Sequence, residues 1–393
     1  MRMQTLLTRN PPRLDSSDSA IESQRSPAYG RIVAHIDMDS YYASAEVRRD
    51  PALKDKPIVI GAEPKEGKGR GVVISCNYAA RKFGLRSAMP ISEAWRLCPD
   101  AVYLPPDFEF YESLSNEVMK VIKSKVRVFE QVSIDEAFVD LAGVAGSFEE
   151  ARTWIAQLKD ELKNKTGLTC SIGLAENKSA AKIATDLHKP DGITVIPPGQ
   201  IKESLAALPV SVIPGVGMKT ELALKDLGVS KVGDLQTLDV DFVKRRLGTS
   251  GVWLWKVANG LEDEPVREHE LKSLSTERTF EEDTDNWKLV DELVTELASE
   301  LANRAQLVHV IFRRVGIKVR FRGFETHTRE TKLATFSNDG SIIARECRSM
   351  LREFQGKKLP VRLVGLKVSE LRRESADQTS MTAWMDGEKR REG

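Results

Sequence analysis

The sequence predicts an α+β protein of several domains, and three observations carry that prediction. Over residues 31–196, short runs rich in β-branched residues alternate with amphipathic stretches as strand, helix, strand, strand, helix, strand, the ferredoxin-like order. Residues 197–262 are helical with short loops. Residues 275–373 return to helices alternating with strands, some of them carrying basic side chains. A length of 393 residues, 41% hydrophobic and 30% charged, suits two to four soluble domains.

Composition excludes some classes. No run of about 18 apolar residues occurs and the N-terminus lacks the apolar core of a secretory signal, so a cytoplasmic protein with no membrane span is expected. Cys76, Cys98, Cys170 and Cys347 are scattered without CxxC spacing, which disfavours a zinc cluster or a disulfide framework. The net charge of +1 is neutral on nucleic acid, because binding depends on where charges sit.

In chain order, residues 1–29 form an aperiodic leader, expected to be disordered, in which Asn10-Pro11-Pro12 forbids regular structure. Residues 31–39 read as a buried strand that ends in two acids, Asp37 and Asp39, before the helical stretch of Ser40 to Val47. Residues 50–106 look like an inserted module: two strands, at 57–61 and 71–76, then a short helix from Asn77 stopped by Gly84. Tyr78 and Arg81 are three apart on that helix, so a hydroxyl and a guanidinium can converge on one anion; a plain surface pair is the alternative.

A helix over residues 108–124 leads to the stretch from Val128 to Asp140. This stretch is rich in strand formers, yet Asp135 and Glu136 stand in its middle, a costly placement unless a cation binds there. In a continuous strand the two would point to opposite faces, so a hairpin with acids at its tip is predicted; on its own the stretch is also compatible with an exposed acidic turn. A helix over 148–166 is closed by Gly167, followed by a strand at 168–174, a helix at 177–187 and a last strand at 193–196. That sheet would set the Asp37 end beside Asp135 and Glu136.

Within 197–262, Ile213-Pro214-Gly215-Val216-Gly217-Met218-Lys219 lies between two helical runs. Gly215 and Gly217 would leave backbone N–H groups free at a helix start to hold a phosphate, and Lys219 adds charge, a helix-hairpin-helix signature. Residues 263–274 read as a polar linker. In the strand at 308–322, Lys318, Arg320 and Arg322 alternate with Ile317, Val319 and Phe321, giving one basic face suited to tracking phosphates.

Asp37-Met38-Asp39-Ser40-Tyr41-Tyr42, Asn77-Tyr78-Ala79-Ala80-Arg81-Lys82-Phe83-Gly84, Ser133-Ile134-Asp135-Glu136-Ala137-Phe138 and Ser171-Ile172-Gly173-Leu174-Ala175-Glu176-Asn177-Lys178, in this order, resemble the Y-family DNA polymerases, closest to the DNA polymerase IV type. The resemblance runs from about residue 31 to 370 and implies a right-hand polymerase. Its palm would be residues 31–49 and 107–196, its small fingers 50–106, its helical thumb 197–262 and its little finger domain 275–373. The implied function is error-prone, poorly processive translesion synthesis on primer-template DNA from dNTPs, without proofreading.

Two magnesium ions about 4 Å apart would serve such phosphoryl transfer. The resemblance implies Asp37 and Asp135 as bridging acids, the Met38 carbonyl on the triphosphate-side ion and Glu136 on the primer-side ion, with Asp39 structural. It further implies Tyr78, Arg81 and Lys189 as triphosphate contacts, with Ser75 and Tyr41 nearby. Tyr42 would be the steric gate against a ribose, and Ser87 and Ala88 small residues over the nascent pair. In residues 374–393, Gln378, Met381 and Trp384 have the spacing of a sliding-clamp peptide, with Met385 where a second aromatic is usual. The chain is expected to be a monomer. A metal-dependent nuclease would use similar acids but has no role for Tyr42 or the triphosphate set, and a non-catalytic scaffold would not need intact acids.

Overall fold

The computed structural model describes residues 31–268 and 270–374, which belong to two compact units that divide between residues 269 and 270. In the first unit, β1 (Val33–Met38) is buried at every position and runs into α1 (Tyr41–Arg49). A small module follows, made of β2 (Ile58–Gly61), β3 (Val73–Cys76), α2 (Tyr78–Arg81), α3 (Ile91–Leu97) and β4 (Val102–Leu104), with its own sheet ordered β3-β2-β4. Its core is separate, built on Val59, Val73, Leu85 and Ile91.

The chain then returns through α4 (Phe108–Lys123), β5 (Val128–Gln131), β6 (Glu136–Asp140), α5 (Phe148–Thr166), β7 (Cys170–Ala175), α6 (Lys178–Leu187) and β8 (Ile193–Val195). The helix ends are written locally: the carboxylate of Asp107 accepts from Phe110 N–H, the hydroxyl of Ser147 from Glu150 N–H and the amide of Asn177 from Ala180 N–H. Gly167, at φ 71°, closes α5.

These strands form one sheet ordered β5-β6-β1-β7-β8, in which β1 is antiparallel to both neighbours. The order of elements is the ferredoxin-like one, with β8 added in parallel to β7. Alternation along β1 divides the two faces. Ala34, Ile36 and Met38 join the core under α4 and α5, with Leu114, Val118, Ile155 and Leu158. Val33 joins Phe138 and the α6 residues Ala180, Ala181 and Ala184 on the other face. Gly173 allows α6 to lie close to the sheet, since a Cβ there would stand 2.0 Å from the carbonyl oxygen of Ala181. The same core continues into α7 (Ile201–Ala206), α8 (Met218–Lys225), α9 (Val232–Gln236) and α10 (Val240–Ala258).

The second unit contains β9 (Ser273–Thr284), α11 (Trp287–Leu307), β10 (Val310–Phe321), β11 (Thr326–Ser337), α12 (Gly340–Leu351) and β12 (Val361–Arg373). Its antiparallel sheet is ordered β11-β10-β12-β9, with α11 and α12 supplying Val290, Leu297, Leu301 and Ile343 to one core. Residues 273–274, read from sequence as the end of a linker, are instead the start of β9 and pair with β12. Residues earlier in that stretch are tied down too: the backbone N–H of Arg267 donates to Glu130 at 3.2 Å.

Candidate active site

The site is made by the sheet register. Asp37, near the end of β1, lies directly opposite Glu136, the first residue of β6. Next to this pair, the Met38 N–H donates to the Asp135 carbonyl at 3.0 Å, so Asp135 is held at the same end of the sheet. The turn between β5 and β6 is closed by Val132 N–H on the Glu136 carbonyl at 2.9 Å, and Ser133 Oγ donates to Asp135 Oδ1 at 2.6 Å. The hairpin expected from sequence is therefore present, and it brings three acids from two segments together.

Each acid is compensated differently. Burial raises the Asp37 carboxyl to about 7; Lys189 opposes the shift, and Glu136 and Asp135 add to it. The Lys189 ammonium sits 2.8 Å from Asp37 Oδ2 and 2.8 Å from Asp186 Oδ1. Burial also raises Asp135, against the Ser133 hydrogen bond. Burial acts on Glu136 in the same direction, but His35 and the Lys182 ammonium, 2.7 Å from Oε2, outweigh it and hold this carboxyl well below its usual range.

His35 lies behind Glu136 and is 1% exposed; burial lowers its pKa to about 4, so it is neutral at pH 7. Its Nδ1 is 2.9 Å from Thr185 Oγ1, whose own proton is directed to the carbonyls of Ala181 and His35. His35 Nε2 lies 3.5 Å from Lys182 Nζ and 3.7 Å from Glu136 Oε2. This triad of Lys182, His35 and Thr185 was not found from sequence. Its signal would have been a lysine on the alanine-rich face of the helix at 178–187.

Among the described residues, no group of three or more His, Cys, Asp or Glu side chains already forms a metal cage. The donor set nevertheless suits a hard divalent cation: three carboxylates gather at one strand end, two of them strained upward in pKa, and a lysine ammonium already rests on Asp37. A positive charge at this point stabilises what burial disfavours.

Of the residues expected from sequence to contact a triphosphate, Tyr78, Arg81 and Ser75 belong to the small module and Lys189 lies outside it. Tyr78 and Arg81 share α2, the Arg81 guanidinium lying 5.0 Å from the Tyr78 ring. The Tyr78 phenol is raised, first by burial and then by Asp39, with Arg81, Lys189 and Asp37 also within electrostatic reach, so α2 faces the acids. Ser75 is buried on β3. The Tyr42 ring packs 4.6 Å from Tyr111 and 6.2 Å from Phe108. Tyr41 is 2% exposed and donates its hydroxyl to the Tyr111 carbonyl at 2.7 Å, so its side chain packs in the core.

Comparison with known proteins decides the family. Residues 36–186 match the impB/mucB/samB family and residues 271–381 match its C-terminal domain. DNA polymerase IV of Methanoculleus marisnigri is 46% identical over 352 residues, 89% of this chain and 97% of that protein. DNA polymerase IV 2 of Methanosarcina mazei is 41% identical, over 92% of this chain and 98% of that one. Among solved structures, a Y-family DNA polymerase chimera of Dbh and Dpo4 superposes with a TM-score of 0.79 at 29% identity, covering 87% of this chain and 100% of its own.

The chain belongs to the Y family of DNA polymerases, DNA polymerase IV type. It is a DNA-directed DNA polymerase. Elsewhere in this Y-family polymerase, Gly215 has φ 85° and Gly217 caps the N-terminus of α8, with Gly215, Gly217 and Lys219 all exposed. The basic row of the second unit is less regular than its sequence implies. Lys318 pairs with Glu277 at 2.6 Å, Arg320 donates to Thr326 at 2.9 Å, and Arg322 lies past the end of β10, 3.4 Å from Asp283. Arg322 therefore does not continue the strand's alternation, because the chain turns at Gly323, φ 80°. Gln378, Met381 and Trp384 lie outside the described residues, as does the 1–29 leader. No helix among the described residues is long and apolar enough to cross a membrane.

Proposed function

We propose that this polymerase carries out translesion synthesis: it extends a primer 3′-hydroxyl on damaged or intact template from dNTPs, with low accuracy, short runs of synthesis and no 3′–5′ proofreading. One observation carries the reading, the register that sets Asp37 opposite Glu136 with Asp135 locked alongside by the Met38 N–H. Asp37, Asp135, Glu136 and the Met38 carbonyl would hold two magnesium ions, which when bound activate the 3′-hydroxyl and neutralise the triphosphate.

The chain's own residues supply the remainder. Lys189 and Arg81 offer positive charge, and Tyr78 and Ser75 hydroxyls, to the triphosphate. Tyr42, backed by Tyr111, offers a flat ring where a ribose 2′-hydroxyl would clash. Gly215, Gly217 and Lys219 in the first unit, and Lys318, Arg320 and Arg322 in the second, would contact the DNA backbone. Gln378, Met381 and Trp384 would bind a sliding clamp.

Primer extension tests the reading. Glu136→Ala should abolish extension while primer-template binding persists, and substantial residual synthesis would refute the assignment. Tyr42→Ala should admit ribonucleotides, whereas unchanged sugar selection would remove Tyr42 from the gate.

A further inference from the structure

Asp39 is two residues beyond Asp37, buried to 3% exposure, and no role in the chemistry proposed above falls to it. Both of its oxygens are nevertheless in use. Oδ1 accepts from the Ser171 hydroxyl on β7 at 2.8 Å, and Oδ2 accepts from the backbone N–H of Asp191 at 2.9 Å. The Ser171 hydroxyl in turn accepts from the Gly192 N–H at 3.4 Å. Asp39 is fixed from its own side by its N–H on the Thr169 carbonyl at 3.0 Å and by Ser44 Oγ on its carbonyl at 2.6 Å.

Asp191, which Asp39 holds directly, and Gly192, which it reaches through Ser171, belong to the segment that follows Lys189. The segment is tightly wound: Asp191 has φ 59°, and a Cβ on Gly192 would lie 1.9 Å from the His188 carbonyl oxygen. Lys159 Nζ holds the outer side through the Asp191 carbonyl at 2.6 Å and the Asp191 carboxylate. The Lys189 ammonium at Asp37 thus stands at one end of a segment whose other end is anchored by Asp39, the anchor and the target acid being separated by Met38 alone on the same chain.

We propose that Asp39 is a positioning residue for nucleotide binding: by holding the Asp191–Gly192 backbone it sets Lys189 where the triphosphate is bound. The proposal rests on the reading of Lys189 as a triphosphate contact. It predicts that Asp39 acts through Lys189, and so has little left to do once the ammonium is gone. An amide at this position keeps one acceptor in place of two, so Asp39→Asn loosens one of the two donors without emptying the space.

The test is a double-mutant cycle in single-nucleotide primer extension, with dNTP KM and kcat measured separately and folding followed by thermal melting. Lys189→Ala alone should raise the dNTP KM at least tenfold. Asp39→Asn should raise it about tenfold with kcat within about twofold of the parent. In the Lys189→Ala background, Asp39→Asn should change KM by less than about twofold. Ser171→Ala, which removes the hydroxyl linking Asp39 to Gly192, should give a smaller rise that also vanishes in that background, and it serves if Asp39→Asn does not fold.

Multiplying effects, or a fall in kcat with KM unchanged, would overturn the positioning role while leaving Lys189 as a nucleotide contact. An unchanged KM in Lys189→Ala would instead remove the contact itself, and the proposal with it.

Discussion

Gly173→Ala is a demanding perturbation of this fold for a single methyl. The added Cβ would lie 2.0 Å from the Ala181 carbonyl oxygen and 2.4 Å from the Thr185 backbone nitrogen, both on α6, where ordinary contact begins at 3.4 Å. Both obstacles are backbone, so no side chain can rotate away and α6 must retreat by roughly 1.4 Å. Overpacking of this kind costs about 3 kcal/mol, the upper part of the usual range. The retreat also carries Lys182 and Thr185 away from Glu136 and His35, opening contacts that now stand at 2.7 and 2.9 Å. A displacement of about 1 Å in such a site can lower the rate on the order of 100-fold. Urea unfolding should show the loss of stability, and primer extension should fall further than the folded fraction accounts for. Parental stability and parental extension rate together would refute the close-approach argument.

Two further predictions follow from buried charge. Lys178 Nζ lies 2.8 Å from Glu130, which is fully buried, so Lys178→Met should cost about 3 kcal/mol in urea unfolding by removing the ammonium that neutralises that carboxylate. The double variant with Glu130→Gln should recover a substantial part, and equal losses in both would argue against the ion pair. His35 has a folded-state pKa of about 4 against an ordinary 6.5, so its contribution is complete above pH 6.5 and is lost as pH falls through 6.5 towards 4. The loss should reach about 3 kcal/mol, and His35→Phe should remove that part of the pH slope between pH 7 and 4.5; an unchanged slope would mean that the imidazole protonates freely in the folded protein.

Much of the first unit was legible because local signals agreed with one another. The helix at 148–166 has Ser147 at one end and Gly167 at the other, and its bounds match those read from sequence. The hairpin carrying Asp135 and Glu136 was legible because adjacent acids inside an apolar strand demand a cation or a turn, and the structure provides both. By contrast β9 was read in part as a linker. Its residues Ser273–Thr284 interleave polar side chains with few apolar ones and are mostly half-buried or exposed, so pairing with β12 decides its state. Arg322 was misplaced because the alternation of basic residues runs on past Phe321, where the strand does not. The links from Lys182 to Glu136 and from Asp39 to Asp191 span 46 and 152 residues, and no local pattern names partners that far apart.

Because the two faces of β1 serve different masters, its length matters more than any one of its side chains. Inserting or deleting a single residue there would rotate the carboxylate of Asp37 under α4 and α5 and turn Ile36 or Met38 outward, exchanging oil for charge in both places at once. Lineages descended from this chain should therefore tolerate substitutions along the strand far more readily than changes in its residue count, while the exposed loop between β2 and β3 should absorb such changes freely.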